Sequence, residues 1–407
     1  MSATDPPART GVDAVLHALL RESFGMFPDD LGARLAELVK VHTTATEVQL
    51  LLVDLDQEVL TSFDGITVES VEWSAAGQAF REQQPVYERH PHGRRLWVPV
   101  LDSAERVAVL GINGGAEVPL DDWITLASLL GELIVTKERY GDHLTDVRRQ
   151  EVASVAAELR WSLLPPLTFS SPVIGISGIL QPSYGVAGDA FDYSVRDGHA
   201  ILGIFDAMGH GLQASRLANL AIGAFRSARR AKVTGQELLA KIDHAISEQF
   251  GDALFVTGQI LELDLATGVA HVHTAGHPPP VTFRRGAAPE VVVVQPGLPL
   301  GLGPSTYEPT TLQLQPGDAV LMVSDGMYEA CAPDGTRYGL ERLITAVQDR
   351  FEAGDSNPEL LRRVVRDVLE FQSGNLRDDT TAAIIRWRPD AMGLPEPPSA
   401  DRVRDAA

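Results

Sequence analysis

Four times between residues 189 and 379, an aspartate stands at an end of an apolar, strand-like run, with glycine or another aspartate close by. Asp189 follows Gly188. Asp206 closes the run 201–205 and precedes Ala207-Met208-Gly209-His210-Gly211. Asp325 closes the run 320–324 and precedes Gly326, and Asp378-Asp379 opens the run 381–387. A carboxylate at a strand end is held by a rigid element yet reaches an open rim. Several acids converging on one rim repel, and hard divalent cations such as Mg2+ and Mn2+, which prefer oxygen ligands, remove that cost. Two metals sharing one carboxylate suit phosphoester hydrolysis: they lower the pKa of a bridging water, neutralise the phosphate and stabilise the leaving oxygen. No cysteine, serine or histidine nucleophile is then required. Taken singly, an Asp-Gly pair is most often a turn, and Asp197-Gly198 and Asp334-Gly335 read as turns only. The ordered set carries the reading.

The remaining pattern gives an α/β organisation. A chain of 407 residues implies two or three domains. Residues 1–11 read as a flexible tail. Residues 12–135 read as a small α/β domain: helical spacing over 12–41, a strand at 48–55, a hairpin signal at 96–100 and 107–112, and a helix from about Asp121. From Trp123 to residue 164, Leu126, Leu130, Leu133, Tyr140, Leu144 and Val147 follow heptad-like steps. After a phase shift, Val152, Val155, Leu159 and Leu163 continue them. This predicts a long amphipathic helix, with 136–164 as a coiled-coil-like linker that pairs two copies of the chain, although a helix packed on its own domain fits the same stripe. Pro165-Pro166 stops it, because proline lacks the amide and clashes with the preceding turn. Residues 165–388 then alternate strands and helix pairs, predicting two antiparallel sheets with helices outside, an α-β-β-α sandwich. The tail 389–407, rich in proline, alanine and acid, reads as disordered.

Acidic residues outnumber basic ones by 55 to 34, a net charge of -21, which argues against binding nucleic acid through its phosphates. The single cysteine, Cys331, forms no internal disulfide and no cysteine-rich zinc site. It reads as a small buried residue. No run reaches the roughly 20 apolar residues of a membrane helix, and the N-terminus has no apolar signal core, so the expected location is cytoplasmic with no membrane partner.

The motifs 186–192 (Val-Ala-Gly-Asp-Ala-Phe-Asp), 205–211 (Phe-Asp-Ala-Met-Gly-His-Gly), 274–280 (Thr-Ala-Gly-His-Pro-Pro-Pro), 298–301 (Leu-Pro-Leu-Gly), 317–330 and 377–381 (Arg-Asp-Asp-Thr-Thr) occur in one order. In these the chain resembles the bacterial SpoIIE-type branch of the type 2C protein phosphatases. The resemblance implies a metal-dependent protein serine/threonine phosphatase with two Mn2+ or Mg2+ ions and attack by a water that both ions activate. Its expected substrate is a phosphorylated regulatory protein such as an anti-sigma-factor antagonist. By the same resemblance Asp206 would bridge both metals, the Ala207 carbonyl would be a ligand, and Asp325 and Asp378 would complete one site. Asp189 would lie in the shell of the other, and Asp379 is a neighbour of undivided role. Departures from the family pattern are Ala187 in place of a glycine, Ala190 in place of a large aromatic, and Met208 where eukaryotic relatives have a histidine. His210 or a water is left to protonate the leaving group. His277 sits in a family motif and reads equally as a loop-ordering residue. By layout, the front domain resembles a GAF-type sensor; His90 and His92 in its charged loop read as ordinary loop residues. The competing function is a catalytically inactive scaffold that binds the same partner, against which the intact Asp189, Asp206, Asp325 and Asp378 argue.

Overall fold

Period-two alternation of apolar residues decides most of this architecture, because it fixes which face of each strand meets which layer. The computed structural model describes residues 10–90, 93–115, 118–182, 184–185, 188–374, 379–389 and 404–405. The chain divides between Gln150 and Glu151 into two units, residues 395–407 grouping with the first.

The first unit is built on an antiparallel sheet. Its strands run in the order Val86–His90, Gly93–Asp102, Glu105–Gly114, Ala45–Val53, Val59–Ser62 and Val68–Ser70. Leu50 and Leu52 face the helices Gly11–Glu22, Leu31–His42 and Leu120–Glu138, whereas Leu51 and Val53 face the helix Ala75–Glu82. Both faces are therefore covered. The expected hairpin is present, with Val98 opposite Leu110. The expected continuous helix from Trp123 to residue 164 is not. It breaks into Leu120–Glu138, His143–Arg148 and Val155–Trp161. Leu126, Leu130 and Leu144 are fully buried, and Leu133 nearly so, in the core of the first unit. The front half of the stripe thus belongs to this unit's own core, and the unit runs past the expected boundary at 135. The first break falls at Gly141, a poor helix former. The expected tail 1–11 lies outside the described residues up to position 9, and the expected tail 389–407 does so over 390–403 and 406–407. Arg404–Asp405 pairs in parallel with Val86 and Tyr87.

The second unit holds two further sheets. One runs Pro296–Gly297, Val269–Ala275, Val256–Asp264, His199–Ala207, Asp189–Arg196, with Thr310–Gln313 also on Val269–Ala275. The other runs Glu290–Val291, Val281–Phe283, Ala319–Val323, Thr380–Trp387, Ile174–Gln181, Thr168–Ser170. Leu202 and Ile204 pack against Val320, Met322 and Ile385 between the sheets. On the outer faces, Phe205 and Ala207 meet the helices Gly211–Arg230 and Gly235–Phe250, and Leu321 and Val323 meet Leu340–Ala353 and Asn357–Phe371. This is the expected α-β-β-α sandwich. The Asp197-Gly198 turn joins its strands with φ of 51° and 77°, the left-handed pair a two-residue hairpin needs. Between the sheets Gly178 lies under the ring of Phe191, where an added Cβ would come within 2.2 Å of that ring. The expected strand at 291–294 shrinks to Glu290–Val291, and Val293 is exposed.

Candidate active site

Asp206 and Asp189 face each other in register at the ends of neighbouring antiparallel strands. Residues so opposed put their side chains on the same side of the sheet with Cβ atoms about 5 Å apart. That side is the inter-sheet face, since Ile204 and Leu202 precede Asp206 on it. Like charges placed this way destabilise the pair unless something positive joins them. Asp189 is buried and Asp206 half-buried.

The second sheet delivers its acids to the same end of the sandwich. Asp325 follows the strand Ala319–Val323 and stands at the N-cap position of the short helix Gly326–Glu329, its side chain making no capping hydrogen bond. Next to it, Thr381 and Ser324 are tied by two hydrogen bonds, Ser324 N–H to the Thr381 carbonyl at 2.9 Å and Thr381 N–H to Ser324 Oγ at 3.0 Å. Tyr328 reports how near the two sheets' acids lie. Burial first, then the charges of Asp325, Glu329 and Asp206, push its phenol up to about 12. Asp379 bridges the sheets: its Oδ2 accepts from the backbone N–H of Gly188 and, at 3.4 Å, from that of Asp189. The Arg160 guanidinium, on the helix Val155–Trp161, lies 3.8 Å from Asp379. Gly188 in turn accepts from Ala207 N–H at 3.1 Å, and a Cβ on it would meet the Ala207 carbonyl oxygen at 2.6 Å. Only glycine lets the two chains lie this close.

Of the residues expected at the site, Asp189, Asp206, Ala207, Asp325 and Asp379 are brought to one end of the second unit. Asp378 lies outside the described residues, as do Ala187 and His92. Among the described residues no three acidic, histidine or cysteine side chains close into a ligand set. The donors that are present, carboxylates and a backbone carbonyl with no soft atom among them, fit a hard divalent cation. Asp192, of the first motif, is structural: buried, it pairs with Arg226 at 2.6 Å and Arg229 at 3.0 Å.

His277 is not on the rim. It is buried behind Thr257, whose hydroxyl is 3.0 Å from its Nδ1. Thr257 stands opposite Asp206 on the next strand. Burial pushes the His277 imidazole down to about 3, with the Val323 carbonyl opposing in part, so the ring is neutral at physiological pH. His210 is exposed at the N-cap of the helix Gly211–Arg230, and Met208 is exposed beside it. Thr257, Tyr328 and Arg160 were missed by sequence reasoning. Thr257 carries a signal, as a polar residue in an apolar strand; nothing marks Arg160 as buried.

Residues 196–388 match the family described as Stage II sporulation protein E (SpoIIE), a span that includes Asp206, Asp325 and Asp378 and begins just past Asp189. The second unit carries a SpoIIE-type phosphatase domain. The chain is also 23% identical over 278 residues to the phosphoserine phosphatase RsbU of Bacillus subtilis (strain 168), covering 66% of this chain and 81% of RsbU. Among solved structures it is similar to the SiaA-PP2C domain of Pseudomonas aeruginosa, with 20% identity, a TM-score of 0.49, and 57% of this chain against 94% of that one. It is likewise similar to the RsbU and RsbW domains of Rv1364c from Mycobacterium tuberculosis, with 25% identity, a TM-score of 0.44, and 53% of this chain against 61% of that one. Among the described residues, no helix is long and apolar enough to cross a membrane.

Proposed function

We propose that this chain is a metal-dependent protein serine/threonine phosphatase of bacterial signalling, acting on a phosphorylated regulatory protein such as an anti-sigma-factor antagonist. The observation that carries the reading is the pair Asp189 and Asp206, opposed in register at the open end of a SpoIIE-type sandwich. Asp206, Asp325, Asp378, Asp189 and the Ala207 carbonyl would hold Mn2+ or Mg2+, two ions by the family resemblance. Bound there, the cations supply charge neutralisation and Lewis-acid activation for phosphoester hydrolysis. The chain's own residues do the rest. Asp379 braces the backbone of Gly188 and Asp189, Arg160 offsets the charge of Asp379, and Gly188 keeps the Ala207 carbonyl in place. Neutral His277 orients Thr257 beside Asp206 and is no proton donor to the leaving group. That proton comes from exposed His210 or from solvent.

The first unit, a sheet with helices on both faces, supports a GAF-like sensor. A homodimer through the linker rests now on Val152, Val155 and Leu159, which are exposed on the second unit, and no longer on Leu144. The deciding experiment offers the purified chain a panel of phosphorylated antagonist proteins with Mn2+ and tracks phosphate release. Release from a serine or threonine of one member supports the reading. Tight binding of a member without any release points instead to an inactive scaffold.

A further inference from the structure

At the end of the strand Thr380–Trp387 far from the acids, basic side chains collect around the turn between the helices Leu340–Ala353 and Asn357–Phe371. Arg386 lies opposite Gly175 on the neighbouring strand, and residues so opposed share one side of the sheet. It is the side of Ala382 and Ile384, which those helices cover. The Arg386 guanidinium rests 4.6 Å from the ring centre of Phe351, in the last turn of the first helix. Arg388 reaches back over Gly175: a Cβ there would come within 2.5 Å of its Nη2 and 3.4 Å of Asn357 Nδ2. Arg285 reaches the turn from outside, its Nη2 3.2 Å from where a Cβ on Gly354 would stand. Arg285 and Gly354 are exposed and Arg386 is half-buried, so the group opens to solvent. Burial first, then the charges of Arg388 and Arg285, push the Arg386 guanidinium down to about 10, with Asp355 opposing in part, so it stays charged at physiological pH. The other acids nearby are committed: Asp318 holds Arg284 at 2.6 Å, and Glu359 holds Arg362 at 2.9 Å and Arg363 at 2.7 Å. Asp355 itself lies 3.9 Å from Arg363. Among the described residues neither Arg285 nor Arg386 has an ion-pair partner, an exception in a chain of net charge -21.

We propose that this turn binds a phosphate-type oxyanion, seated between Arg285 and Arg386 with Arg388 behind it. Three guanidinium charges against the one carboxylate of Asp355 leave a surplus that a phosphate dianion matches, and the planar fork of a guanidinium suits its oxygens. Nε and Nη2 of Arg386 are covered, so the anion meets Arg285 directly and Arg386 only along its open edge, and it offsets the covered charge through space. Ser356, at the N-cap of Asn357–Phe371, makes no capping hydrogen bond with its side chain, and the positive end of that helix adds to the same field. At about 3.3 Å per residue along the strand, Arg386 stands roughly 20 Å from Asp379, too far for one phosphate to meet both ends. The phosphoryl group can arrive as the free ion or carried by another molecule, and neither source requires the chain to be a phosphatase.

The test is a thermal-shift titration of the full chain with sodium phosphate, at an ionic strength held constant with sodium chloride, run with Mg2+ and again under a chelator. We expect a saturable rise in Tm that survives chelation and that chloride alone does not produce. Arg285→Gln, at an exposed position, and Arg386→Met, which keeps apolar bulk against Phe351, should each weaken phosphate binding by about tenfold or more. Phosphate-free Arg386→Met should melt no lower than the parent, because it discards a desolvated charge. A parent protein with no saturable shift up to tens of millimolar phosphate overturns the proposal. A shift that the chelator removes belongs to the carboxylate rim, and the proposal falls. Equal shifts in the parent and both variants place the anion elsewhere, and it falls again. Free phosphoserine, titrated under the chelator, separates the sources. Phosphoserine that binds as well as phosphate and loses its hold in Arg386→Met assigns the turn to a phosphoryl group carried by another molecule. Phosphate binding without phosphoserine binding assigns it to the free ion.

Discussion

Gly188→Ala tests how the rim is held without altering any carboxylate. Gly188 is pinned on three sides: its N–H to Asp379, its carbonyl to Ala207 N–H, and its α-carbon against the Ala207 carbonyl. The added methyl would lie 2.6 Å from that oxygen, while tolerated contacts begin at 3.0 Å and ordinary ones at 3.4 Å, so something must move by about 0.4–0.8 Å. Backbone is the obstacle, so no side-chain rotation relieves it. The movement falls on Ala207, on Asp189 next in sequence, or on both. Forcing a methyl into such a site costs about 1–3 kcal/mol, which lowers Tm by about 2–10 °C for a domain of this size. A shift approaching 1 Å at a catalytic centre costs up to about a hundredfold, so kcat should fall by about 10- to 100-fold. The assay is Mn2+-dependent hydrolysis of p-nitrophenyl phosphate at saturating substrate and metal, with a circular-dichroism melt of the same sample. Turnover within twofold of the parent, in a protein still folded at the assay temperature, would refute the argument that this contact sets the rim.

Asp206→Asn should lower turnover by about a hundredfold or more while leaving the melt nearly unchanged, because several kcal/mol of transition-state stabilisation depend on that charge; near-normal turnover would remove Asp206 from its assigned role. Thorough chelation should abolish hydrolysis, and added Mn2+ or Mg2+ should restore it, as phosphate release would show. For His277 the folded pKa of about 3 lies below the unfolded value of 6.5. The unfolded chain therefore binds the extra proton, and stability is full above about pH 6.5 and is lost as pH falls toward 3. Between pH 7 and pH 5 this one group should cost about 2 kcal/mol, a loss that denaturant melts of His277→Gln should lack. Leu144→Asp should destabilise the first unit by about 2–5 kcal/mol, since it buries a charge in an apolar core. A variant that melts normally but sediments as a smaller species would restore Leu144 to an interface between copies.

The site is legible in the sequence because the ends of apolar, strand-like runs are. Each acid stands at the end of an apolar run, which places it on a rim in the sequence alone, and the alternation of Asp206 with Ile204 and Leu202 turns it to the inter-sheet face. Adjacent residues defeat the same logic. Asp378 and Asp379 are alike in sequence, and only the backbone N–H groups of Gly188 and Asp189, almost two hundred positions away, mark Asp379 as a brace. The helical stripe failed for another reason. Leu126, Leu130, Leu133 and Leu144 recur as a coiled coil requires, but a helix laid on its own sheet requires the same spacing, and periodicity names no partner. Gly141 was the visible clue to the break. Arg160 left none, because a buried arginine and a solvated one look the same in a sequence.

Asp189 and Asp206 hang from one sheet of the second unit and Asp325 from the other, so the thickness of the layer between the sheets sets the width of the mouth they share. Gly178 beneath Phe191 works as a shim in this sense. The bulk of a side chain on one sheet, with no ligand of its own, gauges the gap across which carboxylates on opposite sheets must cooperate. A dry, interlocked layer does not compress, so the calibration of the mouth is distributed along the whole interior, and residues that never meet a metal or a phosphate share in tuning it.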